Sequence, residues 1–123
     1  MPLAQVILFV NDVPRMAAFY RDVLGAVPTA DASDGWLVLD TGGARLALHA
    51  LPPHIAAQIE IADPPARRGD TAAKLVFEVA DFDHVRADLL ARGHAVDPVF
   101  HHAGRPRCDV LDPEGNVIQI AAV

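Results

Sequence analysis

The chain has one cysteine, Cys108, so it cannot close a disulfide within itself. Its thiol content gives no sign of an oxidising compartment. Cys108 also lacks the neighbours that activate a nucleophilic thiol and reads as structural. No apolar run is long enough to cross a bilayer. The opening stretch, MPLAQVILFVNDVPR, carries no basic leader and no cleavage pattern, and its apolar residues alternate as in a strand. The expectation is a soluble, cytoplasmic protein with no membrane partner. Basic residues are in deficit: 10 Lys and Arg stand against 16 Asp and Glu, for a formal net charge of −6. That balance argues against a nucleic-acid partner, which needs a basic face. It leaves room for a cationic ligand, although mild acidity is common among soluble proteins.

What the chain does have is a core and a repeat. Its 123 residues are 52% hydrophobic, enough for one compact domain. QVILFVNDVPRMAAFYRDVLG, residues 5–25, fits KLVFEVADFDHVRADLLARG, residues 74–93, at an offset of 69, with one residue of slack before the glycine. Each copy runs from an alternating strand to an aspartate, Asp12 or Asp81, suited to cap a helix. Each then passes through a helical stretch and stops at Gly25 or Gly93. A second pair, LDTGGARLALH from Leu39 and LDPEGNVIQIA from Leu111, fits at an offset of 72. Two half-folds that face each other make a cleft, the usual place for small-molecule chemistry.

Alternation in the first strand, residues 3–10, puts Gln5, Ile7 and Phe9 on one face and Val6, Leu8 and Val10 on the other. Pro14 falls in the first turn of the helix after Asp12, where a missing N–H does no harm. Met16, Phe19, Tyr20, Val23 and Leu24 recur at helical spacing and should pack on the sheet. Residues 36–40 and 45–51 read as strands joined at TGGA. In the second half the strands fall at 74–79, near 96–101, at 107–111 and at 117–123, with a helix over 83–92. The plan is βαβββ twice, an α+β fold. The chain reads as a single domain, 1–123: module one over about 1–53, a connection over about 54–71 whose last third is expected to be mobile, and module two over about 72–123.

FVNDVPRMAAFYRDVLG, FEVADFDHVRADLLARG and LDPEGNVIQI together resemble the signatures of the vicinal oxygen chelate superfamily. Its members include glyoxalase I, extradiol dioxygenases and bleomycin-resistance proteins. The resemblance implies that the two βαβββ modules form an incomplete barrel around a ligand cleft. It also implies four metal-ligand positions, two on the first strands of the modules and two on the last. Here these are Gln5, Lys74, Ala47 and Gln119. Ala47 has no donor, Lys74 brings positive charge, and Gln119 offers a neutral amide where the family has glutamate. Divalent ions want hard or imidazole donors, so no metal and no cofactor are expected. His49, two residues after Ala47, shares its face and is the one residue that could restore a ligand set with Gln5 and Gln119; its other reading is a histidine at the rim. His101 and His102 are adjacent, so at most one faces the cleft.

The inward faces are unusually polar: Lys74 with Glu78, and Arg107 with Asp109, joined by Gln5 and Gln119. A Lys74–Asp109 pair would satisfy both groups; the same groups could instead hold a polar ligand. Trp36, in DGWLVLD, resembles the GW strand of bleomycin-resistance proteins and offers a stacking platform or an interface residue. The ligand-binding candidates are therefore Gln5, Trp36, His49, Lys74, Glu78, Arg107, Asp109 and Gln119, with no catalytic residue assigned. Three functions compete. One is a metal-independent small-molecule-binding protein of the bleomycin-resistance type, sequestering a toxic or antibiotic compound. The second is a metal-dependent glyoxalase-like lyase, isomerase or dioxygenase. The third is a metal-free enzyme using Lys74 as base or Schiff-base nucleophile. A homodimer is expected, since a second chain can cover the sheet edges and the open cleft.

Overall fold

The repeat in the sequence folds as a repeat in space. The computed structural model describes residues 1–123 and divides into two units, Met1–Ile61 and Ala62–Val123. The first runs β1 (Gln5–Val10), α1 (Val13–Asp22), β2 (Val27–Ser33), β3 (Trp36–Asp40), β4 (Arg45–Ala50) and a short α2 (Pro53–Ala56). The second runs β5 (Val76–Val79), α3 (Phe82–Ala91), β6 (Phe100–His102), β7 (Arg105–Leu111) and β8 (Val117–Ala122). Each unit is α+β with one four-stranded sheet, ordered β1-β4-β3-β2 in the first and β5-β8-β7-β6 in the second. In both, the first strand pairs parallel with the last and the remaining pairs are antiparallel. Each strand is hydrogen-bonded within its own sheet, and neither sheet closes on itself.

Helices α1 and α3 start by the same device. Asp12 Oδ1 accepts from the Arg15 N–H at 3.0 Å, and Asp81 Oδ1 accepts from the His84 N–H at 3.1 Å. Such a cap contributes about 1 kcal/mol. Gly25 and Gly93, at φ +74° and +82°, take the left-handed conformation just beyond the helix ends. The apolar stripe of α1, with Met16, Phe19 and Tyr20 buried, packs on β2, β3 and β4. Leu39, Leu46 and Leu48 are almost wholly buried on these strands. In the second unit Leu89 of α3 is fully buried, and α3 packs on β8, which carries the buried Ile118 and Ile120. Each such side chain contributes about 1.5–3 kcal/mol.

Several elements differ from the sequence reading, among them β2, which that reading does not locate. The strand expected near residues 96–101 is instead β6, Phe100–His102, and Val96 makes only an isolated bridge to Val110. The β6–β7 turn explains the shift. Ala103 and Gly104 both sit at positive φ, +51° and +75°, between the paired His102 and Arg105, which is the two-residue geometry of a tight hairpin. The helix expected at 83–92 runs from Phe82 to Ala91, and β5 begins at Val76 rather than at Lys74. The connection over residues 54–71 opens with α2 in the first unit, and its last third makes contacts within the second. There the Arg67 guanidinium meets Asp97 at 2.7 and 2.8 Å, the Arg68 N–H donates to Gly115 O at 2.9 Å, and Arg68 Nε donates to Glu114 O at 3.1 Å. Charge that reads as solvated in sequence is spent on these contacts.

Candidate functional site

Each sheet has a helix-covered face and an open face, and the sequence-derived candidates fall on the open faces. In the first unit the register sets three rows. Phe9 pairs with His49 and His49 with Trp36; Ile7 pairs with Ala47 and Ala47 with Val38; Gln5 pairs with Arg45. The upper row is aromatic across three strands. The His49 ring centroid lies 5.5 Å from Phe9 and 5.4 Å from Trp36, the latter edge-to-face. Such contacts are worth about 0.5–1.5 kcal/mol beyond burial. Trp36 Nε1 donates to Asp31 Oδ1 at 3.0 Å, which fixes the indole plane. A groove of about 500 Å³ lies between Phe9, His49, Asp34 and the corner at Leu51–Pro53. A second hollow, about 690 Å³, runs from Trp36 and Leu37 to the start of α1. Phe9 is 56% exposed and Ile7 46%, unusual for large apolar side chains on a sheet face.

The second unit places a chain of polar groups on the equivalent face. Arg107 pairs with Ala121 and Ala121 with Glu78; Asp109 pairs with Gln119 and Gln119 with Val76. Lys74 stands two residues before β5. The Arg107 guanidinium donates to Gln119 Oε1 at 2.8 Å. Gln119 Nε2 donates to Asp109 Oδ1 at 2.9 Å, and Lys74 Nζ donates to Asp109 Oδ2 at 2.9 Å. The amide orientation of Gln119 follows from its partners, since Arg can only donate and a carboxylate only accept. The ion pair that the sequence allowed between Lys74 and Asp109 is present. With the Lys74 side chain 42% exposed, the pair is worth at most about 1 kcal/mol. Burial pushes the Asp109 carboxyl up, but hydrogen bonds from Gln119 and Lys74 and the charges of Lys74 and Arg67 outweigh it and hold it below its ordinary value.

Gln5 and His49 thus share an open face with Trp36, while Lys74, Arg107, Asp109 and Gln119 form one connected network. Glu78 lies on that network's face, next to Ala121, without an ion-pair partner. His101 and His102 are exposed neighbours on β6, facing opposite sides. Cys108 is fully buried on the helix side, and burial foremost pushes its thiol up, in keeping with a structural role. Two participants escaped the sequence reading. The alternation of β1 places Phe9 on the face of Gln5, but the sequence reading does not count it among the site residues. Phe100 pairs with Arg107 only because of the β6–β7 turn.

The four positions that the resemblance implies for a divalent ion do not offer a donor set for one. Ala47 presents a methyl group and is fully buried. Both polar atoms of Gln119 are engaged, and the Lys74 ammonium is engaged by Asp109. Nowhere in the fold do three His, Cys, Asp or Glu side chains gather as an ion would require.

This plan, with its repeated order of strands and two open faces, is that of a known class, and comparison agrees. The chain belongs to the glyoxalase/bleomycin resistance protein/dioxygenase superfamily, whose family model matches residues 3–120. Among solved structures, it is similar to a glyoxalase/bleomycin resistance protein/dioxygenase family enzyme from Burkholderia phytofirmans PsJN. The TM-score is 0.78 at 24% identity, covering 100% of this chain and 99% of that one. It is also similar to the fosfomycin resistance protein FosX from Listeria monocytogenes (TM-score 0.74, 14% identity, covering 100% and 93%). A third neighbour is the lactoylglutathione lyase from Agrobacterium tumefaciens (TM-score 0.68, 21% identity, covering 97% and 91%). At these identities the likeness is one of fold, which hosts many chemistries. No curated protein matches the chain by sequence. No helix is long and apolar enough to cross a membrane.

Proposed function

We propose that this chain is a metal-independent small-molecule-binding protein. It would take up its ligand on the open faces that carry Gln5, Trp36 and His49 in one unit and Lys74, Glu78, Arg107, Asp109 and Gln119 in the other. It would act in the cytoplasm as a homodimer, in the manner of the resistance proteins of its superfamily, sequestering a toxic or antibiotic compound. The observation that carries this reading is the occupied state of the second face. Lys74 and Gln119, at two of the superfamily's metal positions, are already bound to Asp109. Exposed apolar side chains on both faces, Ile7 and Phe9 on one and Val76 and Phe100 on the other, support a surface meant to be covered by a ligand and a second chain.

A thermal-shift screen of antibiotics and reactive metabolites, run with and without a strong chelator, tests this. A ligand that binds the native state raises Tm by mass action, and the proposal expects the same shift with and without chelator. Shifts that vanish with chelator and return with zinc or nickel would instead support a metal-dependent glyoxalase-like lyase, isomerase or dioxygenase.

A further inference from the structure

Arg107 is a half-buried cation of the second unit with no carboxylate partner; Arg68 and Arg86 also lack one, but they donate to the backbone carbonyls of Glu114 and Asp97. Arg67 meets Asp97, Lys74 meets Asp109, and Arg92 meets Asp88, each at 3.0 Å or less. Arg107 gives one N–H to the neutral amide of Gln119 and makes no ion pair. The nearest acid along the network, Asp109, cannot neutralise it directly, because Gln119 stands between them and Lys74 takes the other carboxylate oxygen. The network therefore orients a guanidinium and leaves its charge unmatched. A fixed, partly desolvated guanidinium with spare N–H groups is suited to a planar oxyanion, which it can grip with two parallel hydrogen bonds.

The rest of the row sets the shape of the ligand. Phe100 sits directly across from Arg107 and is 44% exposed, an apolar surface beside the charge. On the other side Ala121 is a small floor, and Glu78 follows one strand further on. An acid at that end would repel a second negative group on the same ligand.

We propose that Arg107 and Phe100 form an anion subsite for a monocarboxylate carried on a flat apolar body. This deepens the small-molecule reading and rests on it: it names the ligand class for the second unit's face, and sets it apart from a cationic drug.

Three probes of nearly one shape and different charge test it: benzoate, benzamide and benzamidine, with phthalate as the dianion. Each is titrated into the isotope-labelled full chain, following the Arg107 side-chain N–H and Phe100 ring signals by NMR. Benzoate is expected to shift both signals saturably, with benzamide, benzamidine and phthalate at least about tenfold weaker. Arg107→Gln keeps an N–H donor for Gln119 but loses the charge; it is expected to weaken benzoate about tenfold or more with Tm little changed. Arg107→Lys keeps the charge without the planar fork and should fall between. If Arg107→Gln unfolds the chain, Phe100→Ala reads the same site, with weaker benzoate and unchanged selectivity by charge.

Benzamidine binding ahead of benzoate would overturn the inference. So would benzoate shifting only signals around Trp36 and His49, although that result would still support small-molecule binding by this chain. If no probe shifts Arg107 or Phe100, while the screen above finds a chelator-insensitive ligand, the subsite is wrong and the binding function stands. If neither experiment finds a ligand, both fail.

Discussion

Across the first sheet one row of the open face reads Phe9, His49, Trp36; across the second the equivalent row reads Glu78, Ala121, Arg107. The next row reads Ile7, Ala47, Val38 in the first sheet and Val76, Gln119, Asp109 in the second. The strands, their order and their pairing are the same, while one face is aromatic and apolar and the other a hydrogen-bonded polar chain. The helix-covered sides did not diverge in this way: Leu46 and Leu48 face α1, and Ile118 and Ile120 lie on the strand that meets α3. Packing against a helix constrains a residue by volume and polarity, whereas an open face answers only to what binds there.

The largest break in the comparison concerns the turns that end each open face. Asp40 accepts from the Gly42 N–H at 2.8 Å in the first unit; in the second the fully buried Asp112 accepts from the N–H groups of Glu114 and Asn116 at 3.0 and 2.9 Å. Gly42 and Gly115 both have positive φ, +85° and +83°. A Cβ on Gly42 would meet nothing within 4 Å, whereas one on Gly115 would collide with the carbonyl oxygen of Ala66. Gly42→Ala should cost about 1 kcal/mol and Gly115→Ala about 3 kcal/mol or more, measured by urea unfolding. Equal costs would mean that the Ala66–Arg68 segment does not press on the second turn.

A smaller effect is expected within the polar row. Gln119→Leu strips Arg107 and Asp109 of their shared amide and should cost about 1–3 kcal/mol. It also removes a hydrogen bond that lowers the Asp109 carboxyl, so that group should titrate higher. The sign follows from linkage. Because the folded value of Asp109 lies below its unfolded value, near 4, its contribution is complete above about pH 4–5 and is lost as the pH falls through the folded value. Unfolding curves between about pH 6 and 2 should show this loss in the native chain, with Gln119→Leu giving a shallower one. An unchanged pH dependence in Gln119→Leu would place the shift of Asp109 elsewhere.

The smallest effect is a gain. Ala103 holds φ +51°, where a Cβ is unfavourable, while the corresponding hairpin of the first unit turns through Asp34 and Gly35. Ala103→Gly should raise stability by up to about 1 kcal/mol in the same urea assay. A loss would mean that the turn is held by contacts of the alanine methyl.

Much of this plan was legible in the sequence. Asp12 and Asp81 are helix caps, the offset of 69 places Ile7 over Val76, and the offset of 72 places Ala47 over Gln119, as the ladders do. One departure from the repeat turns on a single residue. The offset of 72 that aligns Leu39 with Leu111 would set Trp36 against Cys108, yet the ladders set Trp36 against Arg107, because the two hairpins differ in length by one. A slip of one residue turns a strand's side chains to the other face. The missed β2 lies in VPTADAS, which has little apolar alternation; Asp34–Gly35 beyond it was the available turn signal. Phe100 was hidden because Ala103–Gly104 is a weak hairpin signal. The network of Lys74, Asp109, Gln119 and Arg107 was legible as a set of residues on one face, but its order was not, since hydrogen-bond partners depend on side-chain reach.

The central claim is that this chain binds without a metal at the superfamily's position, and metal titration tests it most directly. The purified protein, supplemented with zinc, nickel and manganese and then desalted, should carry no stoichiometric ion by elemental analysis and show no saturable heat with zinc or nickel in calorimetry. Under the same conditions the double variant Lys74→His with Gln119→Glu, which puts strong donors at two of the four positions that the resemblance implies for a metal, should show measurable affinity. Tight, stoichiometric metal in the unmodified protein, lost on His49→Ala, would contradict the account.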